Sequence, residues 1–421
     1  GSRVVRTPFP GNKGIPVLNP MFKFYESIYP KPNDVPGLVS PEGYFNYLAS
    51  GLVDDSRFNS VINRVDYNIN ERHRVFGRWY WSRRVPVTRD WAYETKPGIV
   101  AQGSYRVNKG VGATYNWTVN STSILDVSVN TTRFGQGEGV ANRNVVLLKP
   151  TDVGLPAYLD QKAGDNHLLP RIDFSNIEDV SLTYPSITDI PTYGEAKAGF
   201  TTIRGNHSLR LGYIERRTWY TSSSLGYTSG QFAFDNTYMR AADNTQTASN
   251  HALDWAAFMM GVPSQVNIDT NDTGYWSTRY RAAYIQDDYR VSSRLRINLG
   301  LRYEREGGIT ERFNRGISGE FESAAKLPFT DLARTAYAKS PIAEVPVEQF
   351  QVLGGTNYLG SLNKTFTNGT HRFLPRVAAV FQVTPKTVLR AGYGWYYNAS
   401  VYNQAASLLA RAAAGDGRRG A

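Results

Sequence analysis

The stretch that most limits the fold runs over residues 275–306, because its second half alternates strictly between apolar and polar side chains. One set of alternate positions is apolar: Ile297, Leu299, Leu301 and Tyr303. The other set is polar, charged or glycine: Asn298, Gly300, Arg302 and Glu304. A period of two predicts a β-strand, since successive side chains of a strand point to opposite faces. An extended arm over 279–291 precedes it, and only a tight, mostly polar turn at 291–294 separates the arms, which predicts a hairpin.

A hairpin with one apolar and one polar face fits two settings. In water the apolar face packs on a second sheet, whereas in a bilayer it faces lipid and the polar face lines a lumen. The 27 Tyr, 19 Phe, 8 Trp and 38 Gly favour strands, turns and girdles at a membrane interface over helices. No apolar run reaches about 18 residues, so no transmembrane helix is predicted. A mean hydropathy of −0.41 is compatible with short, half-apolar membrane strands.

Five segments share the alternating pattern around a short polar turn: 58–82, 103–134, 194–219, 275–306 and 371–398. The predicted turns are 70–73, 119–122, 204–207, 291–294 and 383–386. The links between hairpins are long, at about 20, 60, 55 and 65 residues. Short and long connections alternate in up-and-down transmembrane barrels, whereas loops beyond about 15 residues are uncommon in compact soluble domains. We therefore expect an all-β fold, an up-and-down antiparallel transmembrane β-barrel segment of about ten strands.

Two sets of side chains are the candidate functional residues. Aromatic residues near strand ends on the apolar face suit a girdle at the lipid headgroup level: Trp79, Trp81, Trp117, Tyr213, Tyr303, Tyr393 and Trp395. Arginines on the polar face are candidates for lumen-facing residues: Arg64, Arg78, Arg210, Arg302 and Arg390. These arginines would contact a plug or attract an anionic solute, or they would form an arginine–carboxylate ladder across the strands.

Other chemistry finds little support in the sequence. The five histidines are scattered without metal-ligand spacing: His73, His167, His207, His251 and His371. Asp287 and Asp288 are neighbours in a strand and are expected to face opposite ways, which disfavours a shared ligand. We expect no cofactor, no metal and no enzymatic activity. The net charge of +11 is diffuse, without a basic helix or recognition motif, so nucleic acid is not an expected partner.

The central hairpin, YIQDDYRVSSRLRINLGLRYE at 284–304, resembles the YxQDxW…LTLNLGLRYE hairpin of TonB-dependent outer-membrane transporters, most closely their Oar-like branch with a carboxypeptidase-regulatory-like domain. Further segments are similar to motifs of that branch, in the same order: RTPFPGN at 6–12 with YPKPN at 29–33, NRVDY at 63–67 with FGR at 76–78, GNHSLRLG at 205–212, ALDWAAFMMGVPS at 252–264, and PR at 375–376 with TVLRAGYGWYY at 387–397.

The resemblance implies part of the barrel of a transporter in the bacterial outer membrane. Such a barrel takes up a large solute through a plugged lumen, with energy from an inner-membrane complex. A plug domain and a TonB-type protein are the implied partners, together with the bilayer. No plug or TonB-binding segment is visible in the sequence, and about ten strands make an open half-barrel against the 22 of such transporters.

The expected organisation has three parts. Residues 1–57 form an irregular, proline-rich linker or loop, 58–403 a partial barrel, and 404–421 an atypical tail. The chain begins at Gly1 without a secretion signal and ends in a segment unlike the strands, so we expect a fragment. Two alternatives stay open: an outer-membrane surface or adhesion barrel that does not transport, and a soluble β-sandwich that binds a ligand.

Overall fold

The computed structural model describes most of the chain, with gaps mainly in the long connections. The described residues are 5–33, 46–47, 55–87, 102–140, 148–177, 187–224, 226–242, 252–269, 273–313, 317–327, 329–358 and 369–397. The expected tail at 404–421 and His251 lie outside them.

Strands account for most of the ordered elements. Strands β1 to β8 are Asp55–Asn68, His73–Val87, Gln102–Asn120, Ser123–Val140, Arg171–Phe174, Ile187–Arg204, His207–Ser224 and Gln231–Phe234. Strands β9 to β16 are Gln265–Asn267, Gly274–Arg290, Leu295–Glu306, Thr310–Glu311, Ile317–Lys326, Leu353–Tyr358, Thr370–Thr384 and Thr387–Gly394. Helices α1 to α4 are Phe22–Ile28, Ala157–Ala163, Leu253–Met260 and Thr330–Tyr337. None of these helices, within the described part of the chain, has the length and apolar character to cross a membrane.

Ten long strands form one antiparallel sheet, the main sheet, in the order β1-β2-β3-β4-β6-β7-β10-β11-β15-β16. The short β12 pairs with the loop-side end of β10. Each long strand therefore lies beside its neighbour in the sequence of long strands, as in an up-and-down meander. The five predicted hairpins and the all-β fold class are confirmed. A sandwich would need two facing sheets of such strands, whereas here all ten belong to one.

The hairpin turns are short because local side chains satisfy their backbone groups. In the first turn the Asn70 side-chain oxygen accepts hydrogen bonds from the backbone N–H groups of Arg72 and His73, at 2.9 and 3.0 Å. Asn120 accepts one from the N–H of Thr122 at 2.9 Å in the second turn. In the third, Gly205 adopts φ +56°, a left-handed conformation that glycine tolerates without strain.

The strands extend further toward the long connections than the sequence indicated. The second hairpin, predicted over 103–134, reaches Val140 at the end of β4. The third, predicted from residue 194, begins at Ile187 in β6. The alternating pattern is weaker there, because glycine and polar residues occupy both faces. The three longest connections are correspondingly shorter than predicted and run over 141–186, 225–273 and 307–369.

The main sheet is staggered in the way that barrel walls are. One row of directly paired residues passes Trp117, next to the turn between β3 and β4, and then Leu211 and Ile285. Ile285 lies far from the turn between β10 and β11, so the turns step in one direction across the sheet. A progressive shift of register accompanies the strand tilt that barrels require. The paired path ends at β1 and β16, which do not pair with each other among the described residues, so the sheet is open.

A second structural unit, which we call the loop module, consists of residues 18–29, 148–177, 226–242 and 252–269. It contains α1, α2, α3 and the small sheet β5-β8-β9. Its core is apolar and buried: Met21, Phe22, Tyr25, Ile28, Val153, Leu169, Ile172, Phe234, Ala257 and Phe258. Three of its four segments belong to long connections, so the module lies on the loop side of the main sheet.

The segment expected to be a linker or loop contributes α1 to this core. Tyr25 packs edge-to-face on Phe258, with ring centroids 5.9 Å apart. The Asn19 side chain donates a hydrogen bond to the carbonyl of Phe258 at 2.8 Å. Proline keeps much of 5–33 irregular, and the Phe22–Ile28 helix is held against the module core by packing.

Candidate functional site

The register shows which side chains share a face of the main sheet, because directly paired residues point the same way. Arg64 in β1 lies opposite Arg78 in β2. Their row continues through Gly112, Asn130, Glu195 and Arg216. We call the face that carries this row the polar face.

The remaining three predicted arginines lie on the polar face as well. Arg210 stands an even number of positions from Arg216 in β7, and its own row runs through Gln286, Gly300 and Arg376. Arg302 is two positions along β11 from a member of that row. Arg390 lies opposite Val380, which is on the same side of β15 as Arg376. The structure therefore brings the five arginines to one face; that this face lines a lumen stays a prediction.

The seven predicted aromatic residues all lie on the other face, which we call the apolar face. Trp81 lies opposite Val61, and Trp117 lies opposite Leu125. Tyr303 lies opposite Ala283, and that row contains Tyr213. Tyr393 lies opposite Val377, with Trp395 two positions further along the chain. The seven do not share one level, since Trp117 lies close to a hairpin turn and the others lie further from the turns.

Sequence reasoning missed a second group of aromatic residues at the turn side of the apolar face. His73 stacks between Tyr115 and Trp117, with ring centroids 5.8 and 5.5 Å away. His207 stacks on Tyr289 at 4.3 Å. The sequence did carry a signal, because the three aromatic residues lie two to four positions from a predicted turn on the apolar register, and both histidines lie at the end of a predicted turn. The two histidines were considered as metal ligands, so their stacking on these rings was not predicted.

The polar-face arginines are only partly matched by carboxylates. The guanidinium of Arg64 lies 2.6 Å from Asp66, and that of Arg302 lies 2.5 Å from Glu304. Arg216, which was not singled out from the sequence, pairs with Glu195 at 2.5 Å. Within the described part of the chain, Arg78, Arg210 and Arg390 have no carboxylate within ion-pair distance. A continuous arginine–carboxylate ladder therefore does not form.

Three arginines line one cavity on the polar face, and one of them, Arg302, is paired with Glu304. The cavity has a volume of about 250 Å³ and is lined by Arg210, Arg302 and Arg376, together with Tyr284 and Gln286. Tyr284 lies flat over Gly212, where a larger residue would collide with its ring. Two rows nearer the turns on the same face, beyond the row of Asp288, Arg290 lies directly opposite Arg296. This part of the polar face favours anionic groups, since like charges opposite each other repel.

The carboxylates of Asp287 and Asp288 point to opposite faces, as expected of strand neighbours. Asp287 is on the apolar face, where it lies 2.7 Å from Nδ1 of His207. Asp288 is on the polar face and accepts a hydrogen bond from the Asn298 side chain. Each carboxylate has its own partner, so the structure does not join them in one site. Among the described residues, no group of three or more histidine and acidic side chains is placed to hold a metal ion.

The loop module contains a framework of buried polar contacts. Asp254 is fully buried and accepts hydrogen bonds from the backbone N–H groups of Asn176, at 2.7 Å, and Trp255, at 2.9 Å. Tyr25 donates its hydroxyl to the carbonyl of Pro170. Burial raises the pKa of Tyr25 well above its ordinary value. These contacts tie the long connections to α1 and so give the loop side of the sheet a fixed shape.

Comparison with known proteins supports the fold. A family model described as an outer membrane beta barrel domain matches residues 1–415. No curated protein sequence matches the chain.

Several solved structures are similar at low sequence identity. The ferric-catecholate import receptor Fiu of Escherichia coli, in its open form, is 8% identical with a TM-score of 0.44, covering 83% of this chain and 48% of Fiu. FpvA of Pseudomonas aeruginosa, bound to a pyoverdine–iron complex, is 11% identical with a TM-score of 0.41, covering 82% and 37%. The hemophore receptor HasR of Serratia marcescens is 11% identical with a TM-score of 0.39, covering 82% and 36%. The chain thus spans between about a third and a half of these proteins.

Proposed function

The chain belongs to the outer membrane β-barrel domain family and is located in the outer membrane, and we propose that it forms part of the barrel wall of an energy-coupled transporter. The solute would be large and would pass through a plugged lumen. The energy would come from an inner-membrane complex of the TonB type, reached through a plug domain. The proposal assigns no catalysis to the chain.

One observation carries the proposal: the main sheet has the five predicted arginines on one face and the seven predicted aromatic residues on the other, with a period of two along the strands. A closed wall of such strands turns its apolar face to lipid and encloses a polar lumen. A lumen that is lined by unmatched arginines suits passage or docking of anionic groups better than a merely structural interior. The motif order noted in the sequence, from residue 6 to residue 397, supports the same family of transporters.

The proposed parts follow from the two faces. Arg64, Arg78, Arg210, Arg302 and Arg390 would face the lumen. Trp79, Trp81, Tyr213, Tyr303, Tyr393 and Trp395 would lie toward the loop-side headgroups, and Trp117 toward the turn-side headgroups. The wall would occupy residues 58–403, with the loop module above it to receive solute. Antiparallel barrels of this type place short turns on the periplasmic side, so the long connections would face outward.

Uptake measurements in the native host test this proposal. A strain that lacks the gene is compared with the same strain carrying the wild-type gene, and depletion of solutes from spent medium is followed by mass spectrometry. We expect at least one solute to be taken up only by the complemented strain. We also expect that uptake to stop when the TonB-type protein is removed. Identical depletion profiles in all three strains would refute transport.

A pair of matched variants tests whether the cavity arginines contribute to uptake. Arg210→Glu with Arg376→Glu reverses charge on the cavity wall, and we expect uptake of an anionic solute to fall. Arg72→Glu with Lys386→Glu makes the same charge change in exposed hairpin turns and should leave uptake near the wild-type rate. Equal effects of the two variants would show that net charge matters and the cavity does not.

The alternative, a surface or adhesion barrel, is favoured by the loop module, because a folded outer unit with a buried core is also what a binding platform needs. It predicts that loss of the gene reduces attachment of cells to a surface or to other cells. It further predicts no solute whose uptake depends on both the gene and the TonB-type protein. The same three strains therefore separate the two functions.

A further inference from the structure

Cations lie directly opposite one another on the apolar face, at its loop-side border. Lys109 in β3 is paired with Arg133 in β4. Arg217 in β7 is paired with Arg279 in β10, and the latter strand also carries Arg281, which is paired with Arg305 in β11. Like charges directly opposite in a sheet repel, so three such pairs on one face indicate an anionic partner beyond the single carboxylate, Glu215, that the sheet places among them. We call these six residues the basic belt.

The six cations of the basic belt lie at nearly the same distance, counted in residues along each strand, from the hairpin turns. The row that holds Lys109 and Arg133 reaches Trp219 in β7, and Arg217 lies two positions nearer the turn. Arg281 lies opposite Glu215, two positions nearer again. The hairpin turns step in the same direction across the staggered sheet. The three cation pairs therefore shift with the register of the strands, and they form one band at a nearly fixed height above the turns.

The protein supplies little neutralising charge to the basic belt. Glu215 approaches Arg279 at 3.3 Å and Arg281 at 3.5 Å. Among the described residues, no carboxylate lies within ion-pair distance of Lys109, Arg133 or Arg305. All six side chains are at least partly exposed, and each surface ion pair of this kind contributes little. An excess of positive charge thus faces outward along the belt.

On the turn side of the basic belt, the apolar face becomes aromatic and then aliphatic, as suits contact with lipid acyl chains. Tyr303 and Phe373 lie against each other just beneath Arg305, with ring centroids 5.0 Å apart. Nearer the centre, a dent of about 510 Å³ with almost entirely apolar walls lies around Val65, Gly77 and Val129. Cations above aromatic rings above an aliphatic band match, in order, the phosphate, interface and acyl layers of a lipid leaflet.

We propose that the basic belt binds the phosphate groups of lipids in the leaflet on the loop side, with their acyl chains on the apolar band. The six cations would hold several headgroups side by side. Guanidinium groups suit this role, since they form paired hydrogen bonds with phosphate oxygens. The inference rests on the outward orientation of the apolar face, as proposed above, but it does not depend on transport. A failed uptake experiment would leave it standing.

Native mass spectrometry of the protein extracted from outer membranes tests the belt. The probes are lipid A carrying two phosphates, one phosphate or none, titrated in detergent. We expect the wild-type protein to bind the bisphosphorylated form at least about tenfold more tightly than the phosphate-free form, because each cation near a lipid phosphate adds to the attraction. Lys109→Gln, Arg133→Gln, Arg217→Gln and Arg279→Gln together should abolish this preference.

Two further variants keep the test decisive. A version with Arg133→Lys, Arg217→Lys and Arg279→Lys retains the charge and should retain most of the preference. A version with Arg72→Gln, Arg204→Gln, Arg294→Gln and Lys386→Gln removes four exposed cations from the turn side and should behave as the wild type. Heat-modifiable migration on gels confirms that each variant is folded.

Several results would overturn the proposal. Equal wild-type affinity for the three forms of lipid A would exclude phosphate recognition. A preference that survives loss of four of the six belt cations, or that disappears equally in the turn-side variant, would place the binding elsewhere. Displacement of lipid A by inorganic phosphate at millimolar concentration would identify a site for the free anion and not for a lipid.

Discussion

The loop module buries its apolar side chains in its own interior, whereas the main sheet exposes many of its apolar side chains on one face. In the module, Tyr25 and Phe258 are completely buried, and the polar Asp254 in the core is satisfied by backbone N–H groups. In the sheet, Val65 is 69% exposed and Leu389 is 60% exposed, while much of the charge sits on the opposite face. The module is organised like a water-soluble domain, and the sheet is organised for an apolar solvent.

The difference shows that the module has the side-chain distribution of a protein in water, and that the sheet has the distribution of a protein in a lipid bilayer. An apolar side chain gains free energy by leaving water, whether it enters a protein core or a bilayer. The module achieves this with aromatic rings from distant segments, and the sheet needs lipid to achieve it. A contiguous apolar surface as large as that of the sheet is not left in water by soluble monomers. The two regions should therefore respond differently to the same kind of substitution.

The largest effect is expected in the module core. Phe258→Ala removes a ring that contacts Phe22, Phe174 and Phe234, so we expect the free energy of unfolding of the module to fall by about 3–5 kcal/mol. Limited proteolysis of outer membranes, followed over 141–186 and 225–273, measures it. Phe329→Ala, at a position 51% exposed, is the matched control and should change little. Equal protease sensitivity of the two variants would mean that the module has no cooperative core.

A smaller effect on stability is expected at Val129 and Asn130, which are neighbours in β4 and point to opposite faces of the main sheet. Val129→Lys puts a charge on the apolar face, at a position 54% exposed, and should reduce stability in a bilayer by about 2–4 kcal/mol. Asn130→Lys places the same charge on the polar face opposite Glu195 and should be neutral or slightly favourable. Urea unfolding in lipid vesicles compares them. Equal stabilities would deny that the faces meet different solvents.

The smallest effect concerns a single hydrogen bond in the module. Tyr25→Phe keeps the ring but leaves the carbonyl of Pro170 without its donor, which should reduce module stability by about 1 kcal/mol. The raised pKa of Tyr25 adds a pH dependence with a definite sign. The folded module holds the phenolic proton more tightly than the unfolded chain, so this contribution is intact below pH 10 and is lost as the pH rises beyond it. At pH 8 the Tyr25→Phe variant should be cleaved faster than the wild-type protein, and at pH 11 the difference between their proteolysis rates should be smaller.

The sequence predicts the sheet well because its information is local. Residues 297–303 alternate within a single strand, and each turn lies beside the arms that it joins, so period and turn chemistry suffice. The faces of all five arginines and seven aromatic residues follow from that period. What each arginine touches does not, because the pairing of Arg216 with Glu195 depends on the register between two strands.

The loop module was not predicted, for a physical reason. Tyr25, Ile172 and Phe258 come from separate irregular segments, and none of these segments has a hydrophobic period that points to the others. The basic belt was missed for a related reason. Lys109 and Arg133 look like ordinary polar ends of their own strands, and their opposition becomes visible only when the stagger of the whole sheet is known.

The most direct test of the central claim is an accessibility scan along β11 in a bilayer. The chain has no cysteine, so single cysteines at 296–303 can each carry a spin label. Collision rates with oxygen, which concentrates in lipid, and with a water-soluble nickel complex are then measured. The account predicts strict alternation, with oxygen favoured at 297, 299, 301 and 303 and nickel at 296, 298, 300 and 302. Uniform access to nickel at all eight positions, or alternation with the opposite phase, would contradict it.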